Sequence, residues 1–139
     1  MYSISKEFAF SAAHRLDKLP ADHPCSRIHG HNYVVTVVLA QARVMPLEGW
    51  IRDFGDLDKF KDHIDTYFDH RWLGHGTLLD GDPVTSGDGT YTTPAIGFNP
   101  TAENLAKHFY DIARDTYPET WKVGVSETPK TIAWYSNGA

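Results

Sequence analysis

The sequence is poor in cysteine, in long apolar runs and in basic charge, and each shortage closes off a class of protein. A single cysteine, Cys25, in 139 residues cannot form an internal disulfide, so a disulfide-stapled scaffold is excluded and a reducing compartment is expected. The longest apolar-rich stretch, residues 33–40, is too short to span a bilayer, and no membrane partner is expected. Residues 1–7 lack the charged-then-apolar layout of a signal peptide, which predicts a cytoplasmic location. With 13 Lys+Arg against 18 Asp+Glu the net charge is −5, and no basic run stands out. That balance argues against a nucleic-acid partner held by phosphate contacts. A phosphorylated small molecule would still need local basic groups. No internal repeat or low-complexity tract interrupts the chain. What remains, 41% apolar and 22% charged, is the composition of a folded protein, and the length predicts a single domain over residues 1–139.

Residues 5–15 and 30–43 read as long strands, because β-branched and aromatic residues dominate and the pattern alternates. A loop over 16–28 joins them. Residues 49–54 read as a short extended piece. Leu57, Phe60, Ile64 and Phe68 then fall at helical spacing. The Gly/Asp/Thr/Pro-rich segment 74–97 reads as a long loop, a lid or a variable insertion. Asn99 and Pro100 look like a cap and first position of a second helix, with Leu105, Phe109 and Ile112 as its buried stripe. Residues 121–127 and 131–135 are two further strands about a tight turn. The predicted order is β-β-α-α-β-β, an α+β layer of helices on an antiparallel sheet.

Side chains two apart on a strand share a face. His29, His31, Tyr33, Val35, Val37 and Leu39 form one such set, and Phe8, Phe10, Ala12 and His14 another. If the two strands pair antiparallel across the 16–28 loop, His14 meets His29 and His31 at one end of two apolar stripes, with Gly30 leaving room between them. Three imidazoles and an open fourth position describe a catalytic zinc site, although a lone His-x-His in a strand is more often structural or exposed. Cys25 lies four residues before His29. A free cysteine is usually a small buried hydrophobe, yet a loop beside a cation lowers a thiol's pKa. The spacing alone does not say whether Cys25 ligates or reacts, but three histidines already supply ligands, which favours reaction. Asp69 beside His70 forms an acid/base relay only if the helix has ended there, since adjacent helical residues do not face each other. Glu127 has the strand parity of Trp121, Val123 and Val125. On an apolar face it needs a partner, and an amidine-like ligand edge would supply two parallel donors; otherwise it is a strand-end residue in solvent. Thr101 and Glu103 lie in the second helix's first turn, where serving the helix terminus is the simplest role.

Phe10-Ser11-Ala12-Ala13-His14, Cys25-x3-His29-Gly30-His31-Asn32-Tyr33, Asp53-Phe54-x2-Leu57, Asp69-His70, Pro100-Thr101-Ala102-Glu103-Asn104 and Ser126-Glu127-Thr128 stand here in the order seen in tetrahydropterin synthases. Nearly the whole chain thus resembles the 6-pyruvoyl/6-carboxy-tetrahydropterin synthase family. The resemblance implies the T-fold, a four-stranded antiparallel sheet with two helices on one face, in a homohexamer of two trimers with active sites at subunit interfaces. It implies zinc on His14, His29 and His31, proton transfer by Cys25, Asp69 and His70, and a pterin ring anchored by Glu127. Thr101 and Glu103 are further candidate substrate-binding residues. The substrate it implies is 7,8-dihydroneopterin triphosphate. By position, Arg15, Lys18 and Arg27 flank the metal-binding segment and would supply the positive field a triphosphate requires, although each taken singly is more simply a solvated side chain. The three-residue gap between Cys25 and His29 is similar to the bacterial 6-carboxy branch of queuosine and other 7-deazapurine pathways, which loses triphosphate and acetaldehyde. The 6-pyruvoyl branch tends to a longer gap. Arg71-Trp72-Leu73-Gly74-His75 departs from the family's usual Leu-Asn or Leu-Asp after the Asp-His pair, and the 74–97 loop exceeds that of compact members. A non-catalytic pterin- or purine-binding homologue would have no use for the intact set of reactive residues, and a structural zinc module would need a fourth protein ligand.

Overall fold

The computed structural model describes residues 1–16, 18–73 and 98–138. β1 (Tyr2–His14) and β2 (His29–Gln41) are each 13 residues long. They pair antiparallel without a break, from Tyr2 opposite Gln41 to His14 opposite His29. This register is set by burial: Phe8, Phe10 and Ala12 on one strand and Tyr33, Val35, Val37 and Leu39 on the other all turn inward. A slip of either strand by one residue would turn that strand's whole apolar set into solvent.

Two helices cover that face. α1 (Asp58–Tyr67) buries Phe60 and Ile64, and α2 (Ala102–Thr116) buries Leu105, Ala106, Phe109, Tyr110 and Ala113. Phe60 meets Phe8, and Phe109 meets Phe10 edge-on, so helices and sheet share one core. Each fully buried side chain of this size contributes about 1.5–3 kcal/mol. β4 (Thr120–Ser126) and β5 (Ala133–Tyr135) extend the sheet antiparallel beyond β2.

Four details differ from expectation. The sheet has five strands in the order β3-β1-β2-β4-β5, because Arg71–Trp72 (β3) joins β1 in parallel at Ala12 and Ala13. Residues 49–54 are not extended; Gly49, at φ +75°, closes a turn through Gly49 N–H to Met45 O at 2.8 Å. The cap of α2 is Thr101, not Asn99: its hydroxyl accepts the Asn104 N–H at 3.2 Å, and Pro100 stays outside the helix. Finally, Trp121 does not share a face with Val123 and Val125. A register shift at Val38/Leu39 sets Thr120 opposite Leu39, which buries Thr120 and leaves Trp121 40% exposed.

Candidate metal centre and adjoining cleft

His14 and His29 face each other as the last pair of the β1–β2 ladder, and His31 lies one inward step further, opposite Ala12. The three rings stand edge-on to one another with centroids 4.5–4.9 Å apart. One nitrogen from each falls within 4.8 Å of the others, the only such group of three or more potential ligands among the described residues. A Cβ on Gly30 would meet only Ala12 O, at 3.5 Å, so this glycine is not demanded by crowding from its own chain.

Hydrogen bonds to the main chain fix which nitrogens are free. His14 Nδ1 lies 2.8 Å from Pro100 O, and His29 Nδ1 lies 2.7 Å from Arg27 O. A carbonyl only accepts, so each Nδ1 carries the proton. In the neutral rings both Nε2 lone pairs then face each other at 2.9 Å, a contact that requires a shared positive centre. This is the donor arrangement that a bound cation satisfies, with outer-shell carbonyls orienting the ligands. Burial, opposed by the Pro100 contact and reinforced by His29 and His31, lowers the pKa of His14 to about 4. Burial, then His29, also lowers that of His31. Neutral imidazole is the state a metal needs. The donor set therefore fits a metal ion.

Cys25 sits on a short 3-10 turn, Pro24–Ser26, whose N-cap His23 accepts the Cys25 N–H at 3.0 Å. Leu16 N–H donates to Cys25 O at 2.9 Å, which ties this turn to the end of β1 just past His14. The half-buried thiol does not belong to the ligand group.

Helix α1 has ended before Asp69 and His70, so the adjacent pair meets. Asp69 Oδ1 and His70 Nδ1 are 2.9 Å apart. His70 adopts φ +58°, a strained conformation for a non-glycine residue, and its N–H donates to Ser11 O at 2.7 Å. Asp69 also accepts the Ser11 N–H at 3.1 Å, and that bond, with His70 behind it, holds the carboxyl below its ordinary pKa. The imidazole is thrown outward, its side chain 83% exposed. His70 and His31 line one groove, with Gly30, Asn32 and Trp72, and Cys25 is not part of its wall.

Glu127 follows β4, with Oε2 3.7 Å from His31 Nε2. Burial raises its pKa, His29 opposes the rise, and Glu103 adds to it. A second cleft brings Glu127, Glu103 and Thr101 together with Leu16, Val125 and Ile132. The Thr101 hydroxyl is engaged as the helix cap. Of the basic residues near the metal segment, Arg15 lies over the Trp72 ring at 5.9 Å, while Lys18 and Arg27 are exposed. His75 and the segment 74–97 lie outside the described residues. Two partners of the histidines were missing from the sequence reading. Tyr33, whose hydroxyl lies 3.0 Å from His14 Nδ1, was visible in the strand parity. The Pro100 carbonyl, 86 residues away in sequence, left no signal.

Two helices on one face of a largely antiparallel sheet, with three clustered imidazoles where its two longest strands meet, make this an α+β protein of the T-fold class. Sequence comparison agrees and is narrower: the chain belongs to the 6-pyruvoyl tetrahydropterin synthase family, whose sequence profile matches residues 3–138. It is 35% identical over 131 residues to a probable 6-carboxy-5,6,7,8-tetrahydropterin synthase of Halobacterium salinarum, covering 88% of this chain and 79% of that one. Identity to the 6-carboxy-5,6,7,8-tetrahydropterin synthase of Rickettsia bellii is 33% over 110 residues, covering 78% and 77%. Among solved structures, the 6-pyruvoyl tetrahydropterin synthase of Caenorhabditis elegans superposes with a TM-score of 0.71 at 29% identity, covering 99% of this chain and 96% of that one.

Proposed function

We propose that the protein is a zinc-dependent 6-carboxy-5,6,7,8-tetrahydropterin synthase, a lyase that converts 7,8-dihydroneopterin triphosphate and one water to 6-carboxytetrahydropterin with release of triphosphate and acetaldehyde. The observation that carries this reading is the facing Nε2 pair of His14 and His29, completed by His31 and bordered by the Glu127 carboxylate. Three nitrogen donors suit zinc with an open position. Two relatives bearing the 6-carboxy name, at 35% and 33% identity, and the short Cys25–His29 gap favour that branch. The C. elegans neighbour carries the 6-pyruvoyl name, so the competing product is 6-pyruvoyltetrahydropterin, formed by triphosphate elimination alone.

Zinc bound there would supply Lewis acidity and a template for the substrate's side-chain oxygens. Glu127 accepts the paired N–H groups of the pterin edge, and Glu103 and Thr101 wall the same cleft. Cys25, as thiolate, removes a carbon-bound proton. Asp69 holds the His70 ring in one orientation, and His70 exchanges protons with the substrate hydroxyls. Arg15, Lys18 and Arg27 meet the triphosphate. From Tyr2 to Ser11 the outer side of β1 has no strand partner among the described residues, and a long bare edge favours pairing with another chain. The assembly we assign is a homohexamer of two trimers, in the cytoplasm, with sites at the interfaces. No helix among the described residues is long and apolar enough to cross a membrane. Incubation with dihydroneopterin triphosphate tests the reading: 6-carboxytetrahydropterin with an equivalent of acetaldehyde supports it, and 6-pyruvoyltetrahydropterin without acetaldehyde moves the protein to the other branch.

A further inference from the structure

Tyr33 is fully buried and stacks on Phe10, with centroids 4.9 Å apart and the planes 10° from parallel. Packing alone would be met by phenylalanine. The hydroxyl, however, lies 3.0 Å from His14 Nδ1, the same nitrogen that Pro100 O reaches at 2.8 Å. Since Pro100 O only accepts, the Nδ1 proton belongs to His14, and Tyr33 Oη receives the second branch of a forked hydrogen bond. The Tyr33 and His31 rings are also T-shaped to one another, with centroids 5.5 Å apart. One phenol ring therefore neighbours two of the three candidate ligand rings.

We propose that Tyr33 is a positioning residue of the metal centre: its oxygen, with the Pro100 carbonyl, locks His14 in the Nδ1–H tautomer and aims the Nε2 lone pair at the ion. The inference rests on the metal reading of the three histidines. Two acceptors on one N–H strengthen the electron donation of the opposite nitrogen, and outer-shell partners of this kind are worth ~10–100-fold in metal affinity. With Pro100 O still in place, losing Tyr33 Oη should sit near the low end of that range. Burial, then Glu127, raises the Tyr33 pKa, so the group remains a neutral phenol.

Tyr33→Phe removes one atom and keeps the stacked ring. The expected result is roughly tenfold weaker zinc binding in chelator competition, with a shifted visible absorption band in the cobalt-substituted protein. Unchanged affinity together with an unchanged cobalt spectrum would overturn the inference while leaving the metal reading intact. Wild-type protein that binds neither ion would sink both. Long-range proton–nitrogen NMR on metal-free wild type provides a check that needs no variant. His14 should carry its proton on Nδ1, and an Nε2–H tautomer there would also overturn the inference.

Discussion

Two imidazole sites border β1 and have opposite environments. At the β1–β2 end, His14 is 1% exposed and tied to a carbonyl, with its pKa held low at about 4. At the end of α1, His70 is thrown into solvent in a left-handed conformation beside a carboxylate that is itself anchored to β1. Burial without a counter-charge makes an imidazole a neutral donor, fit for a metal. Exposure beside an aspartate leaves the imidazole open to solvent, with its Nδ1 held 2.9 Å from the Asp69 carboxylate. The residue type is the same at both sites, and the surroundings separate the roles.

The sharpest way to break that comparison is to remove one inner histidine. His31→Ala is expected to lose bound metal and activity together, as read by metal analysis and turnover of the same preparation. A variant that keeps a full equivalent of metal would end the assignment of the centre. Next in size is Cys25→Ala, which should retain metal and fold while turnover falls by at least ~10²–10⁴-fold, the span of a single acid/base group. Loss of metal in that variant would instead place Cys25 among the ligands, contrary to its absence from the ligand group. A smaller effect is expected at Glu127, beside His31 of the inner site. Glu127→Gln turns half of a paired acceptor into a donor and should weaken binding of a pterin analogue by about 1.5–3 kcal/mol, without loss of metal. Unchanged affinity by calorimetry would mean that Glu127 does not anchor the ring.

The inner site was largely legible in the sequence and the outer one was not, for physical reasons. Alternation with period two placed His14, His29 and His31 on one face of paired strands, because a buried apolar face specifies its own register. The same alternation failed at Trp121, where the shift at Val38/Leu39 inverts the pattern, and no residue type announced that irregularity. The Asp69–His70 contact depended on α1 stopping at Tyr67 and on His70 taking φ +58°, neither of which the spacing of Leu57, Phe60 and Ile64 determines. Thr101 and Asn99 both qualify as helix caps by residue type. The choice fell to Thr101, leaving the neighbouring Pro100 carbonyl outside the helix and turned to His14. A two-residue strand such as β3 carries too little pattern to be read at all, and it exists because Arg71 and Trp72 leave the Asp69–His70 corner alongside β1.

The remaining expected effect concerns acid and the metal-free protein. His14 has a folded-state pKa near 4, below its ordinary value of 6.5, and burial is the leading cause. Between those two values the unfolded chain binds a proton that the folded chain refuses, so stability must fall as pH drops from 6.5 towards about 4. The slope from one such histidine is at most about 1.4 kcal/mol per pH unit. His31, shifted in the same direction, adds to it. Chemical denaturation of the metal-free protein at pH 7 and at mildly acidic pH should therefore show a lower midpoint in acid. Saturating zinc should hold the midpoint higher at both pH values, because a ligand that binds only the folded state stabilises it by mass action, and protons must then compete with the ion for the imidazoles. His14→Gln, assayed without metal, should flatten the acid slope. An identical slope in that variant would show that His14 is not the group whose burial sets the inner site apart from His70.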